Sequence, residues 1–281
     1  MKIPTTRRAH SLVAAGRSAL ALAIVGLLFA FGSNAVAATA VDLGTAGSYA
    51  VLAGMGITNT GPTTITGDIG TFPNTPVTGV TSLTLSATNH AGDRVTQGAK
   101  TDLVTAYTTA AGEGPTTAIA ADMVGKTLKP GVYNSASAIE LSGVLTLDAA
   151  GDPNAVWVFQ AGSTLVTASD SKVVMLNGAP PSCNVYWQVV SSATLGTNST
   201  FIGTIMAGIS ITLNTGAKLD GRALASTGAV ALHANTIKRP ACSTSTSPST
   251  ATSTSTSTRT GASQITAVPR GPVGTGDNSI G

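Results

Sequence analysis

Threonine recurs at regular positions in the second half of this 281-residue chain. Three near-copies of one 18-residue unit begin at Val185, Gly203 and Gly221. Each threonine carries a methyl and a hydroxyl group on a stiff, β-branched side chain with few rotamers. Rows of such side chains can order water in a lattice-like layer, which is a surface-binding chemistry and not a bond-breaking one.

The acidic residues and histidines do not form a catalytic pattern. A polysaccharide-cleaving β-helix would pair carboxylates, for which Glu140, Asp148, Asp152 and Asp170 are the candidates. None of them recurs with Lys or Arg at a useful spacing. Their positions are typical of acidic residues, chiefly aspartates, that serve in turns. The turn that begins at Asp148 lacks the spaced carboxylates of a calcium loop. No zinc-protease, nucleophile-elbow or phosphate-loop motif is present, so we predict no enzyme activity, no metal and no cofactor.

The elements that must position these threonines are short strands. A short repeat of small, β-branched and Thr residues is typical of a β-solenoid, in which equivalent residues stack in columns about 4.8 Å apart. Residues 41–85 also consist of short apolar runs broken by Gly, Pro and Asn. A single helix is predicted from about Asp93 to Ala111, with Val95, Ala99 and Leu103 on its buried face.

Alternation along each coil sorts inward from outward side chains. Ala193 and Leu195, and their equivalents in the next two units, should point inward. The segment before the repeats, 155–169, is aligned so that Trp157 lies opposite Trp187. The outward column then consists of Thr146, Thr164, Thr194 and Thr212, followed by Ala231.

A second row is predicted after the turn of each coil, at four-residue units that begin at Thr167, Thr197, Thr215 and Ala234. The candidate site residues of this row are Thr167, Thr197, Thr200 and Thr215. Asp170, Lys218 and Ala234 depart from the pattern and interrupt the row. Thr is also a common choice on any exposed strand, so an ordinary solenoid surface is the alternative explanation.

The first 37 residues have the form of a secretory signal peptide, with a basic start, an apolar run and an A-V-A cleavage site. A retained membrane anchor is the alternative. Four of the fifteen Lys and Arg residues lie in this segment, so the remainder carries eleven against twelve Asp and Glu. Without a basic footprint, nucleic-acid binding is not expected. No later segment is long and apolar enough to cross a membrane.

Cys183 and Cys242, the two cysteines, are predicted to form a disulfide in an oxidising compartment, with two unpaired thiols as the alternative. The solenoid domain is assigned to 38–242. Residues 243–264 form a Ser/Thr-rich disordered linker, a candidate for O-glycosylation. Residues 265–281 form a tail that resembles a degenerate wall-sorting signal. The expected location is therefore extracellular or associated with the cell wall.

The ordered segments of residues 41–237 resemble the microbial ice-binding protein family. They include V-L-A-G, I-T-N-T-G, T-T-I-T-G-D-I-G-T, W-V-F-Q, V-Y-W-Q-V and S-I-T-L-N-T-G-A. The resemblance implies a mainly β fold, namely a right-handed discontinuous β-solenoid with a single long α-helix alongside. It also implies that the coils are not stacked in sequence order and that the N-terminal segment caps the later coils or interleaves with them.

The same resemblance implies a secreted, monomeric protein that adsorbs to ice through a flat Thr/Ser-rich face and limits ice growth or recrystallisation. Ice-binding faces of this family can carry a T-A/G-x-T/N pattern, which the second row matches in frame. The alternative is a non-enzymatic adhesin or surface module that uses the same fold for another extracellular ligand. The Ser/Thr-rich linker favours this alternative, whereas the Thr columns favour ice.

Overall fold

The computed structural model describes residues 38–178 and 182–241. The predicted signal peptide, linker and tail lie outside these residues, as does Cys242, so those assignments and the disulfide stay predictions. The described part of the chain forms parallel strands and one α-helix, with each coil running over three faces before the next begins. The predicted mainly β solenoid with one long helix is confirmed. No helix among these residues is long and apolar enough to span a membrane.

The first face, face 1, lies beneath the helix. Its strands, in spatial order, are β8 (Thr117–Ala118), β10 (Gly131–Ser135), β13 (Trp157–Ala161), β16 (Val185–Val189), the second halves of β18 (Thr200–Ala207) and β20 (Lys218–Ala225), β1 (Tyr49–Ala53), β4 (Asp68–Thr71) and β7 (Asn89–Ala91). Because its outer side is covered, the central strands of this face are buried on both sides, and polar side chains on the covered side, such as Gln160 and Arg222, bond to backbone carbonyl oxygens. β1, β13 and β16 are buried at every position.

The second face, face 2, is a separate seven-stranded sheet. Its strands are β11 (Ile139–Leu141), β14 (Leu165–Thr167), β17 (Ala193–Leu195), β19 (Ile211–Leu213), β21 (Ala229–His233), β2 (Gly56–Thr60) and β5 (Val77–Thr78). Inward residues of the three tandem units stack as predicted, with Leu195 opposite Leu213 and Leu213 opposite Leu232. All three leucines are fully buried.

The third face, face 3, continues around a corner into face 1. Its strands are β9 (Thr127–Leu128), β12 (Val144–Asp148), β15 (Lys172–Leu176), the first halves of β18 and β20, β22 (Thr236–Lys238), β3 (Thr63–Thr66) and β6 (Leu83–Leu85). Glycine is required where β18 and β20 turn this corner. A Cβ on Gly221 would lie 1.9 Å from the carbonyl oxygen of Gly203.

The coils are not stacked in sequence order. The last coil, β20 to β22, pairs in parallel with the first, β1 to β3, through Val51–Ala223, Ile57–Val230 and Ile65–Ile237. This junction between the two ends of the domain is named the seam. The N-terminal strands therefore cap the stack beyond the last coil on all three faces, which is one of the two arrangements that the family resemblance implied.

The helix α1 (Arg94–Gly112) connects the two ends of the stack, because it follows β7 and precedes β8. Its buried positions are Thr96, Ala99, Leu103, Ala106 and Ala110. Val95, which we predicted on this face, is 54% exposed. The stripe begins at Thr96 instead, since its hydroxyl bonds to the carbonyl oxygen of His90 and to the Tyr49 hydroxyl and is satisfied inside the protein.

Polar contacts fix the helix to the solenoid. The Lys100 ammonium donates to the carbonyl oxygens of Ala225, at 2.6 Å, and Ser226. Burial lowers the pKa of Lys100 to about 8. On the other side, the Asp102 carboxylate accepts from the backbone N–H and the hydroxyl of Thr45, in the 3-10 helix Gly44–Ser48. The helix is thus held from two sides over face 1.

An aromatic stack fills the interior of the C-terminal coils. The rings of Phe159 and Trp187 are parallel, with centroids 4.0 Å apart, and Tyr133 and Phe201 extend the stack on either side. Phe159, and not Trp157, is the residue opposite Trp187. Our alignment of this coil was therefore wrong by two residues.

Candidate functional site

Face 2 presents a column of small and β-branched residues along its centre, here called the central column. Register pairs connect its members one coil at a time. The central column consists of Val166, Thr194, Thr212, Ala231, Thr58 and Thr78. Thr194 and Thr212 are adjacent, as predicted from the tandem units. Their hydroxyls have no hydrogen-bond partner among the described residues, so they are available to surface water.

Two of the threonines assigned to this column lie elsewhere. Thr164 precedes the strand and flanks the column, because the residue opposite Thr194 is Val166. Thr146 lies on face 3, opposite Val174. The Thr164 error keeps the inward and outward alternation intact, since a shift of two residues returns every side chain to the same side of the sheet. The Thr146 error is an assignment to the wrong strand, because Glu140 is the residue of that coil opposite Val166. The periodic pattern alone therefore does not distinguish these positions.

The second predicted row is divided between a buried position, a corner and face 3. Thr167 points inward, and its hydroxyl accepts from the Gly196 N–H at 2.8 Å. Thr197 and Thr215 lie at the corner between faces 2 and 3, where backbone bonds link successive coils. Thr200 lies on face 3 between Lys172 and Lys218, so it does not share a surface with the central column.

The residues that interrupted the predicted row do not interrupt the central column. Asp170 occupies a corner position with φ of 60°, in line with Asn198, Gly216 and Ala234, which also have positive φ. Its backbone N–H bonds to the Thr197 carbonyl oxygen. Lys218 is opposite Thr200, on face 3. The frame that placed Asp170 level with Thr200 was again two residues out of register.

Charge is distributed unequally between the two exposed faces. From Val166 to Thr78 the central column carries no charged side chain, and acidic groups occur only at its start, where Glu140 is opposite Val166. Nearby, the Asp122 carboxylate is held by the Ser142 hydroxyl. Face 3 instead carries outward charges on three of its strands, β15, β20 and β22. These charges are Lys172, Lys218, Asp220 and Lys238.

Sequence reasoning missed the N-terminal contribution to face 2. Thr58 and Thr78 extend the central column beyond Ala231. At the corner, Thr60 of β2 is opposite His233 of β21. The alternation in I-T-N-T marks Thr58 and Thr60 as outward residues, but their neighbours across the seam are more than 170 residues away. Flanking the column on its other side are Ser192 and Ser210, whose hydroxyls accept backbone N–H groups of the next coil.

Other kinds of site receive no support within the described ranges. No group of three or more His, Cys, Asp or Glu side chains among residues 38–178 and 182–241 could hold a metal ion. Asp148, one of the carboxylates considered for catalysis, lies 3.7 Å from the Lys129 ammonium and accepts from Asn177. These are surface turn contacts. The exposed chemistry of face 2 is therefore that of methyl and hydroxyl groups on a regular lattice.

Comparison with known proteins indicates the same kind of chemistry, namely that of a binding surface. The family described as "Ice-binding-like" matches residues 51–238. An ice-binding protein of Nostoc sp. (strain HG1) is 46% identical over 228 residues, which covers 80% of this chain and 83% of the relative. The family description names binding and no reaction.

Two solved structures are similar in fold and sequence. An ice-binding protein from an Antarctic biological consortium superposes with a TM-score of 0.70 at 46% identity, covering 71% of this chain and 91% of the other. The ice-binding protein of the Antarctic ascomycete Antarctomyces psychrotrophicus gives 0.69 at 41% identity, covering 71% and 98%. The matched segment spans the whole solenoid, and we conclude that this chain belongs to the ice-binding-like family.

Proposed function

We propose that this protein binds ice through face 2 and thereby limits ice growth or recrystallisation. The observation that carries the proposal is the central column, which runs from Val166 to Thr78 without a charged side chain. The relatives and the solved structures described above are named ice-binding proteins, which supports ice as the partner.

The geometry of a parallel solenoid suits this partner. Equivalent residues repeat about 4.8 Å apart along the stack, and outward residues repeat about 6.6 Å apart along a strand. The buried rows of Ile, Val and Leu fix the backbone beneath each threonine, and χ1 of a β-branched side chain is restricted. Little conformational entropy is then lost when the side chains contact an ordered water layer.

The absence of charge matters as much as the threonines. Removing water from a charged group costs several kcal/mol, so a lysine on an ice-contacting face would retain its own hydration shell. Face 3 carries such charges in its middle coils and face 1 is covered by the helix. Face 2 is therefore the surface that we assign to ice. We further propose that the protein acts as a secreted monomer without catalytic activity, as residues 1–37 and the lack of a catalytic motif suggest.

The test compares two threonines of similar exposure that lie on different faces. Thr212 and Thr200 are both half-buried, outward strand residues, on face 2 and face 3 respectively. Thr212→Tyr places a ring above the central column and should weaken adsorption to ice at least ~10-fold, a loss of about 1.4 kcal/mol or more. Thermal hysteresis and ice-recrystallisation assays measure the effect. Thr200→Tyr should leave both assays unchanged.

Circular dichroism and thermal unfolding of both variants check that the fold is retained. If Thr212→Tyr kept full hysteresis in a folded protein, face 2 would not be the ice-binding surface. If the unsubstituted protein showed no hysteresis and no recrystallisation inhibition, the second candidate would be favoured. That candidate is a non-enzymatic surface module with another extracellular ligand, for which the Ser/Thr-rich segment 243–264 is the supporting observation.

A further inference from the structure

A histidine lies on face 2 beside the central column. The strand β21 alternates between outward and buried positions, so that Ala231 and His233 are outward and Leu232 is buried between them. Outward residues of one strand are about 6.6 Å apart, which places His233 next to the central column. Thr60 is opposite His233 on the neighbouring coil, across the seam. The imidazole is thus part of the surface that we assign to ice, and it is partly exposed.

The backbone of His233 is held on both sides, whereas its ring is left to solvent. The N–H of His233 donates to the side-chain oxygen Oδ1 of Asn235 at 2.6 Å, and its carbonyl oxygen accepts from the Gly216 N–H at 3.1 Å. None of the described residues forms a hydrogen bond to the imidazole. The two ring nitrogens therefore bond to surface water from a position that the backbone fixes.

Within the described residues, His233 is the one ionisable side chain on face 2 between β14 and β5. The adjacent strands β19 and β2 contain no acidic, basic or histidine residue. The strands β1 and β20 also pack against β21, and β22 follows it, but their ionisable side chains lie on other faces. Lys218, Asp220 and Lys238 are exposed on face 3, and Tyr49 and Arg222 are buried on face 1.

The other charges near face 2 lie at its limits. The Lys100 ammonium bonds to the Ser226 carbonyl oxygen, at the corner that precedes β21. Glu140 is opposite Val166, at the first coil of the face. Protonation of His233 would therefore introduce a charge into the middle of a surface that is otherwise uncharged from β14 to β5.

We propose that His233 makes ice binding by face 2 dependent on pH, because the neutral imidazole permits adsorption and the protonated imidazolium opposes it. The proposal rests on the proposed function of face 2 and adds a means of regulation to it. Histidine is the side chain that ordinarily changes its charge between about pH 5 and pH 8. A neutral ring can donate to and accept from ordered water. A charged ring retains its own hydration shell, and removing that shell costs free energy.

The sign of the effect distinguishes His233 from the acidic end of the face. Acidification places a positive charge on His233 and should weaken adsorption. Protonation of Glu140 removes a charge from the surface and would strengthen adsorption instead. A loss of activity on acidification is therefore the result expected of the histidine and not of the glutamate.

The test measures inhibition of ice recrystallisation by the full chain at about pH 5 and about pH 7. Lys100 stays largely charged over this range, since burial lowers its pKa only to about 8. The protein concentration for half-maximal inhibition should be at least about 3-fold higher at the lower pH. His233→Asn cannot become charged, so its two values should agree. His233→Lys should show, at both pH values, the weak inhibition of the unsubstituted protein at the lower pH.

His90→Asn is the matched control. His90 is the other histidine among the described residues, and its Nδ1 bonds to the Asp93 carboxylate at the start of the helix, away from face 2. This variant should keep the full difference between the two pH values. Circular dichroism of every variant at both pH values checks that the fold is retained.

The outcomes separate this proposal from the function of face 2. Equal inhibition by the unsubstituted protein at both pH values would overturn the role of His233 and leave ice binding intact. A pH difference that persists in folded His233→Asn would also overturn it, because another group would then be responsible. No inhibition by the unsubstituted protein at either pH would overturn both proposals.

Discussion

Three aspartates stabilise the fold through hydrogen bonds that need an ionised carboxylate. Asp93 caps the helix by accepting the Thr96 N–H at 2.7 Å, Asp102 binds Thr45, and Asp122 binds the Ser142 hydroxyl at 2.5 Å. These bonds hold the pKa of each carboxyl below its usual value of 3.8. The unfolded chain therefore binds more protons at low pH than the folded protein does.

The first prediction follows from the sign of these shifts. The stabilisation is present above the usual carboxyl pKa and is lost as the pH falls through the lower folded values. We expect the melting temperature to fall below about pH 4. Asp93→Asn keeps the capping acceptor but does not titrate, so its acid loss should be shallower, whereas Asp93→Ala should cost about 1 kcal/mol at neutral pH. Identical pH profiles for the Asn variant and the unsubstituted protein would contradict the role of Asp93.

At the residue scale, sequence patterns identified side chains within one regular repeat but not across irregular connections. Thr194 and Thr212 were placed correctly because their coils are separated by 18 residues throughout. The connection between β15 and β16 changes this spacing, and the shift of two residues moved Thr164 and Asp170 to wrong partners. Alternation does not reveal such a shift, because it has a period of two.

At the element scale, the helix is attached by a narrow stripe of small residues with one large side chain. Leu103 is completely buried in a cluster with Val158, Met206 and Leu224 of face 1. The three- and four-residue spacing predicted the element, its extent and most of this stripe. The correct phase at its N-terminal end depends on the tertiary contacts of Thr96, which the local pattern does not contain.

The second prediction tests this attachment. Leu103→Ala should lower the free energy of unfolding by about 2–5 kcal/mol, because it removes a large side chain from a closed contact. Thr105→Ala, on the exposed side of the same helix, should change it by no more than about 0.5 kcal/mol. Urea denaturation measures both values. If Leu103→Ala lowered the free energy of unfolding as little as Thr105→Ala does, packing of the helix would contribute little to stability.

At the scale of the whole molecule, the seam determines which residues share a surface. Strands β1 to β3 pair with β20 to β22, so the central column combines residues from the two ends of the domain. The family resemblance implied that the N-terminal segment caps the later coils or interleaves with them, but the residues themselves did not, since no local signal specifies a partner so distant in sequence. For that reason the sequence did not predict that Thr58 and Thr78 belong to the central column.

The helix also fixes how many coils this molecule can contain. It has to return the chain from β7 to β8 along the outside of the stack, so its length and the number of coils must change together. One coil adds about 4.8 Å to the stack, which corresponds to about three helical residues at 1.5 Å each. A longer ice-contacting surface therefore requires a longer helix, and neither can evolve by duplication of a coil alone.

A deletion pair tests this coupling. Removing 203–220 excises one coil in register, and removing 104–107 as well shortens the helix by about one turn, or 6 Å, while the buried stripe keeps its three- and four-residue spacing. We expect the double deletion to melt several degrees above the single deletion, because its helix again matches the stack. If the single deletion had the higher melting temperature, the length of the helix would not limit the number of coils.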